Sequence, residues 1–287
     1  MNVLCFDIGG TQLRGARFNR PREFDRVLRA RSPRGDSKRL MTEIIEMAQE
    51  LGKSSPFDAI SIGCPGPVSA TTMNGSKPLE LTENINFQAL LEPTFRVPIY
   101  VHNDLQMAVR AENLYGVGQQ CKNFCLVSIS TGIGIAAVHD GKILARRIEL
   151  GHSIVETDPA LAQTCAGHVG CWVAHASGTG ISNSIAVLNT GTSIESFFIN
   201  ETSSLMERVR LYTARGLAHV IHAFDPEKIV LMGSVGLLQF DRLGPFAELL
   251  EKNSILRPIP GIECSKLGDQ IGLLGAYEYA QEISCEK

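Results

Sequence analysis

Asp7 lies in the stretch CFDIGGTQLRGARF, residues 5–18, inside an apolar run that turns back at once on Gly9-Gly10-Thr11. A carboxylate among apolar neighbours costs free energy unless a metal ion, a charged ligand or a hydrogen-bond donor partners it. Adjacent glycines allow a tight reversal and let a ligand approach the backbone. A related pattern follows in FCLVSISTGIGIAAVHDGKIL, with Ser130, Thr131, Gly132 and Gly134 at its centre. Backbone N–H groups in such turns form anion-binding concavities, and the hydroxyls of Thr11, Ser130 and Thr131 add donors. Two of them suit the β- and γ-phosphates of a nucleotide. Neither is a Walker-type loop, because G-x-x-x-x-G-K-[ST] does not occur, and GIGIAA is not a dinucleotide fingerprint.

Three further groups bear chemistry. Asp104, in HND at 102–104, stands where a strand gives way to a helix. There it is either a general base for an alcohol attacking a phosphoryl group or a helix N-cap. His152, Cys165, His168 and Cys171 fall within 20 residues and are of the types that hold tetrahedral zinc; a reduced, metal-free loop is the other reading. Gly233 and Ser234, in IVLMGSVG, end a strand and either wall an adenosine or begin a helix.

The elements that must position these groups alternate between periods of 2 and 3.6. Residues 2–8 and 11–18 read as a hairpin, and 36–51 as a helix capped by Asp36 or Ser37. FDAISIGCPGPV is a strand stopped by Pro65-Gly66-Pro67, and VPIYVHNDLQMAVRAENLYG is a strand running into a helix. Further helices are expected at 178–190, 203–224, 237–252 and 271–284, with strands at 228–232 and 262–266. The recurrence of strand, Gly-rich turn and strand implies an internally duplicated α/β unit, with a boundary near Tyr115–Gln119.

Composition narrows the class. The 287 residues, 44% apolar, suffice for two domains, and a net charge of −3 gives no support to nucleic-acid binding. The Lys/Arg-rich stretch from Arg17 to Arg39 reads as the solvated face of an edge strand and loop. No stretch approaches a membrane span, and the N-terminus lacks the features of a signal peptide. Eight cysteines without such a signal indicate a reducing, cytoplasmic setting, with Cys5, Cys64 and Cys125 as inert core residues.

In order, DIGGT (7–11), PGPV (65–68), HND (102–104), STGIG (130–134), ELGH (149–152), GC (170–171), ASG (176–178) and GSVG (233–236) resemble the ROK group of sugar kinases and sugar-sensing repressors. The closing LGDQIGLLGAYEYA (267–280) also looks like that family's C-terminal segment. The resemblance implies a duplicated actin/hexokinase-like, ribonuclease H-like α/β fold of two domains with an interdomain cleft. The domains would be 1–116, completed by the C-terminal helix 271–287, and 117–270.

It further implies an ATP- and Mg²⁺-dependent kinase acting on the 6-hydroxyl of a hexose such as glucose or an amino sugar. Asp7, Gly9, Gly10, Thr11, Thr131, Gly132, Gly134, Gly233 and Ser234 would line the nucleotide. Asp104 would be the general base, Asn103, Glu149 and His152 would contact the sugar, and an asparagine in LTENINF, Asn84 or Asn86, would supply another contact. His152, Cys165 and Cys171 would hold zinc, with His168 or water as the fourth ligand. Relatives commonly form homodimers. The family's repressors carry a helix-turn-helix before the first phosphate motif; with DIGGT starting at residue 7 the enzyme is expected. A catalytically silent sugar- or nucleotide-binding protein is the remaining alternative.

Two departures stand out. The zinc loop keeps two cysteines, the first out of register by one residue. The family's Gly-Cys-x-Glu glutamate is Val173, and Ser177, four residues on, is the candidate to replace its acceptor because His175 falls on another helix face.

Overall fold

A computed structural model describes residues 1–165, 167–187, 193–200, 204–242 and 247–285. They divide into two compact units, Met1–Gly116 with Leu267–Lys287, and Val117–Lys266.

The first unit runs β1 (Val3–Ile8), β2 (Gln12–Arg20), β3 (Glu23–Arg31), α1 (Ser37–Gly52), β4 (Ala59–Cys64), β5 (Val68–Ser69), β6 (Thr72–Ser76), β7 (Leu81–Asn86), α2 (Phe87–Phe95), β8 (Ile99–Asn103) and α3 (Asp104–Tyr115). Its main sheet has the order β3-β2-β1-β4-β8, while β5, β6 and β7 form a separate small sheet. Strand β1 is antiparallel to β2 and parallel to β4. Period-2 alternation divides β1 between two faces. Leu4, Phe6 and Ile8 share a buried cluster with Leu40, Ile44, Ala48 and Leu51 of α1. Asp7 lies on the opposite face, where the Ser61 hydroxyl donates to the Ala276 carbonyl of the C-terminal helix at 2.7 Å.

The second unit runs β9 (Phe124–Ile129), β10 (Ile133–His139), β11 (Lys142–Ile143), a 3₁₀ turn at Leu150–His152, β12 (Thr164–Cys165), β13 (His168–Val169), α4 (Trp172–Ala176), α5 (Gly178–Val187), α6 (Ile194–Asn200), α7 (Ser204–Phe224), β14 (Lys228–Met232), α8 (Ser234–Arg242), α9 (Ala247–Asn253) and β15 (Gly261–Cys264). Its sheet order, β11-β10-β9-β14-β15, repeats the first unit strand for strand, which is the duplication the recurrent motif implied. The last helix, α10 (Ile271–Cys285), returns to the first unit and stacks Tyr277 on Phe18 at 5.4 Å.

Several expectations change in detail. The helix expected at 237–252 begins instead at Ser234 and consists of α8 and α9, with 243–246 outside the described residues. Residues 188–190 and 203, expected to be helical, also lie outside them. The basic stretch does form the edge strand β3, but Arg17 on β2 is buried, its Nε donating to Asp25 at 2.9 Å. An in-sheet guanidinium can be covered because a carboxylate is placed directly against it.

Candidate functional site

The hairpin between β1 and β2 is closed by the Gly9 N–H donating to the Gln12 carbonyl at 2.8 Å. Ser32 braces it: its N–H donates to Thr11 O at 3.0 Å and its hydroxyl to Gly9 O at 2.6 Å. The Gly10 and Thr11 amides have no hydrogen-bond partner among the described residues. In the second unit, the Ser130 N–H donates to Gly132 O at 2.9 Å, and the Gly178 and Thr179 amides donate to Ser130 O and Thr131 O. The Thr131 and Gly132 amides are likewise without partners among the described residues. Each hairpin therefore offers a pair of uncommitted donors, as an oxyanion requires. Gly134 is not at the tip but inside β10, paired with Ser128. Gly233 takes φ +83° after β14, and a Cβ there would come 2.4 Å from Ile129 O. Ser234 is the first residue of α8.

Asp7 is partly covered and paired with Arg14, its cross-strand neighbour, whose Nη1 lies 3.2 Å from Asp7 Oδ2. Burial raises the Asp7 carboxyl and Arg14 pulls it back down. A Cβ on Gly272, in the first turn of α10, would sit 2.5 Å from Asp7 Cγ, so only glycine lets the helix approach the acid this closely. The sequence carried no isolated signal for either Arg14 or Gly272. The strand register reveals the first and the return of α10 the second.

Asp104 is the first residue of α3, and the capping role belongs to its neighbour. Asn103 Oδ1 accepts from the amides of Leu105, at 3.0 Å, and Gln106, at 3.4 Å, while its Nδ2 donates to Gly66 O in the PGPV turn at 3.2 Å. Asn103 thus locks that turn to the helix start, and its side chain also hydrogen-bonds Asp104. Asp104 Oδ1 accepts from the Leu105 N–H at 2.9 Å. Burial, then the negative charge of Asp7, push the Asp104 carboxyl up to about 7, against the pull of the Leu105 amide. A carboxylate that holds a proton near neutrality can take one from an alcohol there.

Of the remaining sugar-contact candidates, Asn84 is exposed on β7, where it pairs with Asn74 and its side chain has no hydrogen-bond partner among the described residues, whereas Asn86 is committed to capping α2 through the Ala89 N–H at 3.1 Å. Glu149 is exposed, its Oε1 3.7 Å from Arg147 Nε. Ser177 does not replace the missing glutamate. Its buried hydroxyl donates to Val173 O at 2.7 Å and accepts from the Gly180 N–H at 3.2 Å, which spends it on joining α4 to α5. His175 is buried against Tyr212, with ring centroids 4.4 Å apart.

The His/Cys loop converges. The ligand atoms of His152, Cys165, His168 and Cys171 all lie within 4.8 Å of one another. His152 Nδ1 is 3.8 Å from both sulfurs. Pairing of Cys165 with His168 across β12 and β13 brings those two together. His168 Nε2 is buried and has no hydrogen-bond partner among the described residues. Two thiols and two imidazoles with converging ligand atoms fit a tetrahedral N₂S₂ ion, whose edges are about 3.3–3.8 Å for zinc. Burial raises the Cys171 thiol to about 11, and the Ala174 amide pulls the other way.

The profile of the ROK family matches residues 3–283. The chain belongs to the ROK family. N-acetylmannosamine kinase of Haemophilus influenzae is 28% identical to this ROK chain, over 100% of it and 98% of the relative. The xylose repressor of Bacillus subtilis is 24% identical over 63% of this chain and 50% of that protein. Among solved structures, a ROK family glucokinase from Streptomyces griseus in complex with glucose and AMPPNP superposes with a TM-score of 0.78 at 20% identity, covering 98% of this chain and all of the other. The fold of this ROK protein is thus the duplicated α/β fold of the actin/hexokinase type. No helix among the described residues is long and apolar enough to cross a membrane.

Proposed function

We propose that this ROK protein is an ATP- and Mg²⁺-dependent sugar kinase that transfers the γ-phosphate to the 6-hydroxyl of a hexose or amino sugar. The observation that carries this reading is Asp104, held at the start of α3 with a carboxyl raised to about 7 beside the charge of Asp7. Asp104 accepts the hydroxyl proton as the oxygen attacks phosphorus, and Asn103 orients the sugar. Asn84, Glu149 and His152 supply further sugar contacts. Gly9, Gly10 and Thr11 in one hairpin and Thr131 and Gly132 in the other hold phosphate oxygens, with Gly134 in the strand behind and Gly233 and Ser234 beside the adenosine. Mg²⁺, held towards Asp7, supplies neutralisation of the phosphate charge when bound. Zinc on His152, Cys165, His168 and Cys171 would rigidify the turn that carries His152 and Glu149.

ADP release across a panel of hexoses and N-acylated hexosamines tests the proposal, with zinc analysis alongside. Release with at least one sugar, lost in Asp104→Asn, is expected. Tight ATP binding with no release for any sugar would instead favour a silent binding protein. Val173 and the committed Ser177 leave that reading a specific basis. Sugar-dependent DNA binding without ADP release would point to a regulator.

A further inference from the structure

The guanidinium of Arg14 is not explained by the fold. Its Nη1 donates to Asp7 Oδ2 at 3.2 Å and its Nη2 to Gln12 Oε1 at 2.8 Å, while its Nε is buried with no partner among the described residues. The Nε is enclosed, so the N–H groups that remain for a ligand are the two uncommitted ones on the partly exposed Nη atoms. The ion pair is also dispensable to this architecture. At the equivalent cross-strand position of the second unit stand Ser128 and Gly134, and a hairpin one residue shorter still forms there with two uncommitted amides. A charge pair that one copy of the unit lacks is there for a ligand rather than for the turn.

Three features beside this hairpin therefore point one way: the Gly10 amide, the Thr11 amide and a guanidinium with an N–H to spare on each Nη. All favour an anion. We infer that Arg14 binds the terminal phosphates of a nucleoside triphosphate, with Asp7 orienting the guanidinium so that its remaining N–H groups meet phosphate oxygens. Arginine suits this because its planar fork pairs with phosphate in two parallel bonds, which the point charge of lysine cannot reproduce. The inference rests on the kinase reading for its catalytic consequence but not for the binding itself.

The test compares the affinities of ATP, ADP and AMP by calorimetry, without sugar, for the parent, Arg14→Ala and Arg14→Lys. Arg14→Ala should weaken ATP by about 10-fold or more and leave AMP unchanged, with Arg14→Lys intermediate. In turnover, Arg14→Ala should lower kcat by about 100-fold and raise KM for ATP, while KM for sugar stays within about twofold. Added guanidinium should restore part of that loss. An unchanged ATP affinity in a folded Arg14→Ala variant, or equal losses for ATP and AMP, would overturn the assignment, as would a parent that binds no ATP. Should Arg14→Ala fail to fold, Arg14→Gln and Arg14→Lys carry the same comparison. A parent that binds ATP yet phosphorylates no sugar would sink the kinase reading alone, and the affinity series would still decide on Arg14.

Discussion

The two Gly-rich hairpins differ in turn length and in charge: Gly9 closes on Gln12, three residues on, and Ser130 on Gly132, two residues on. Both join the first two strands of sheets with the same order, and both leave two adjacent amides uncommitted. The first is flanked by Asp7 opposite Arg14, the second by Ser128 opposite Gly134. The strand after the central pair differs too: β8 runs directly into α3 with Asp104 as its first residue, whereas β15 leads through a 3₁₀ turn to α10. A duplicated scaffold thus leaves a pair of free amides in each copy, and the carboxylates Asp7 and Asp104 stand in one copy alone. The second copy instead invests its polar residues in the His/Cys loop. Strand order is shared between the copies because each core is built on it; turn length and side-chain charge are free to diverge.

The sharpest way to break this division is at Asp104. Asp104→Asn should lower turnover by about 10²–10⁴-fold while sugar affinity, measured by calorimetry, changes little. A comparably large loss from Ser128→Ala in the second unit would contradict the asymmetry. Next in size is the metal. The purified protein should hold one zinc per chain by mass spectrometry; His168→Ala should lose it and melt at lower temperature, whereas His168→Cys should keep it.

A smaller effect concerns stability and pH. Burial holds the Asp104 proton in the folded protein up to about 7, against an ordinary value of 3.8. The folded state therefore binds more protons than the unfolded chain between those values, and stability falls as pH rises across that window. Asp104→Asn should accordingly raise the melting temperature at pH 8 in the nucleotide-free protein and leave it nearly unchanged near pH 4. An equal shift at both would show that the carboxyl is not raised. Last, Val173→Glu should lower the KM for the preferred sugar by about 3–10-fold, the size of one regained charged hydrogen bond. No change would mean that the substrate presents no hydroxyl at that position.

Much of the site could be read from residue types alone. The Gly9-Gly10-Thr11 and Ser130-Thr131-Gly132 turns were legible because glycine and small hydroxyl residues between two apolar runs mark a tight reversal with its backbone open to a ligand. Asp104 was legible as a strand-to-helix residue, but its alternative roles were not separable, since Asp and Asn are both strong caps and stand side by side. The tertiary structure gives the cap to Asn103, whose oxygen reaches the Leu105 and Gln106 amides. Ser177 shows the opposite failure: its spacing from Val173 was right for a shared face, but a hydroxyl at a helix junction finds backbone partners first.

By itself, then, the sequence determined the alternation of elements, the two turns and the identities of the candidate ligands, because these depend on local periodicity and on which residues tolerate tight backbone. Only the tertiary structure decided which groups meet. Strand register set Arg14 against Asp7, the Cys165–His168 pairing set His168 beside the other candidate metal ligands, and the return of α10 placed Gly272 on Asp7. Those contacts join residues through sheet register and packing, and the burial that raises Asp104 has the same origin. Neither can be computed from a local window of residues, because the energy of a buried charge depends on everything that excludes water from it.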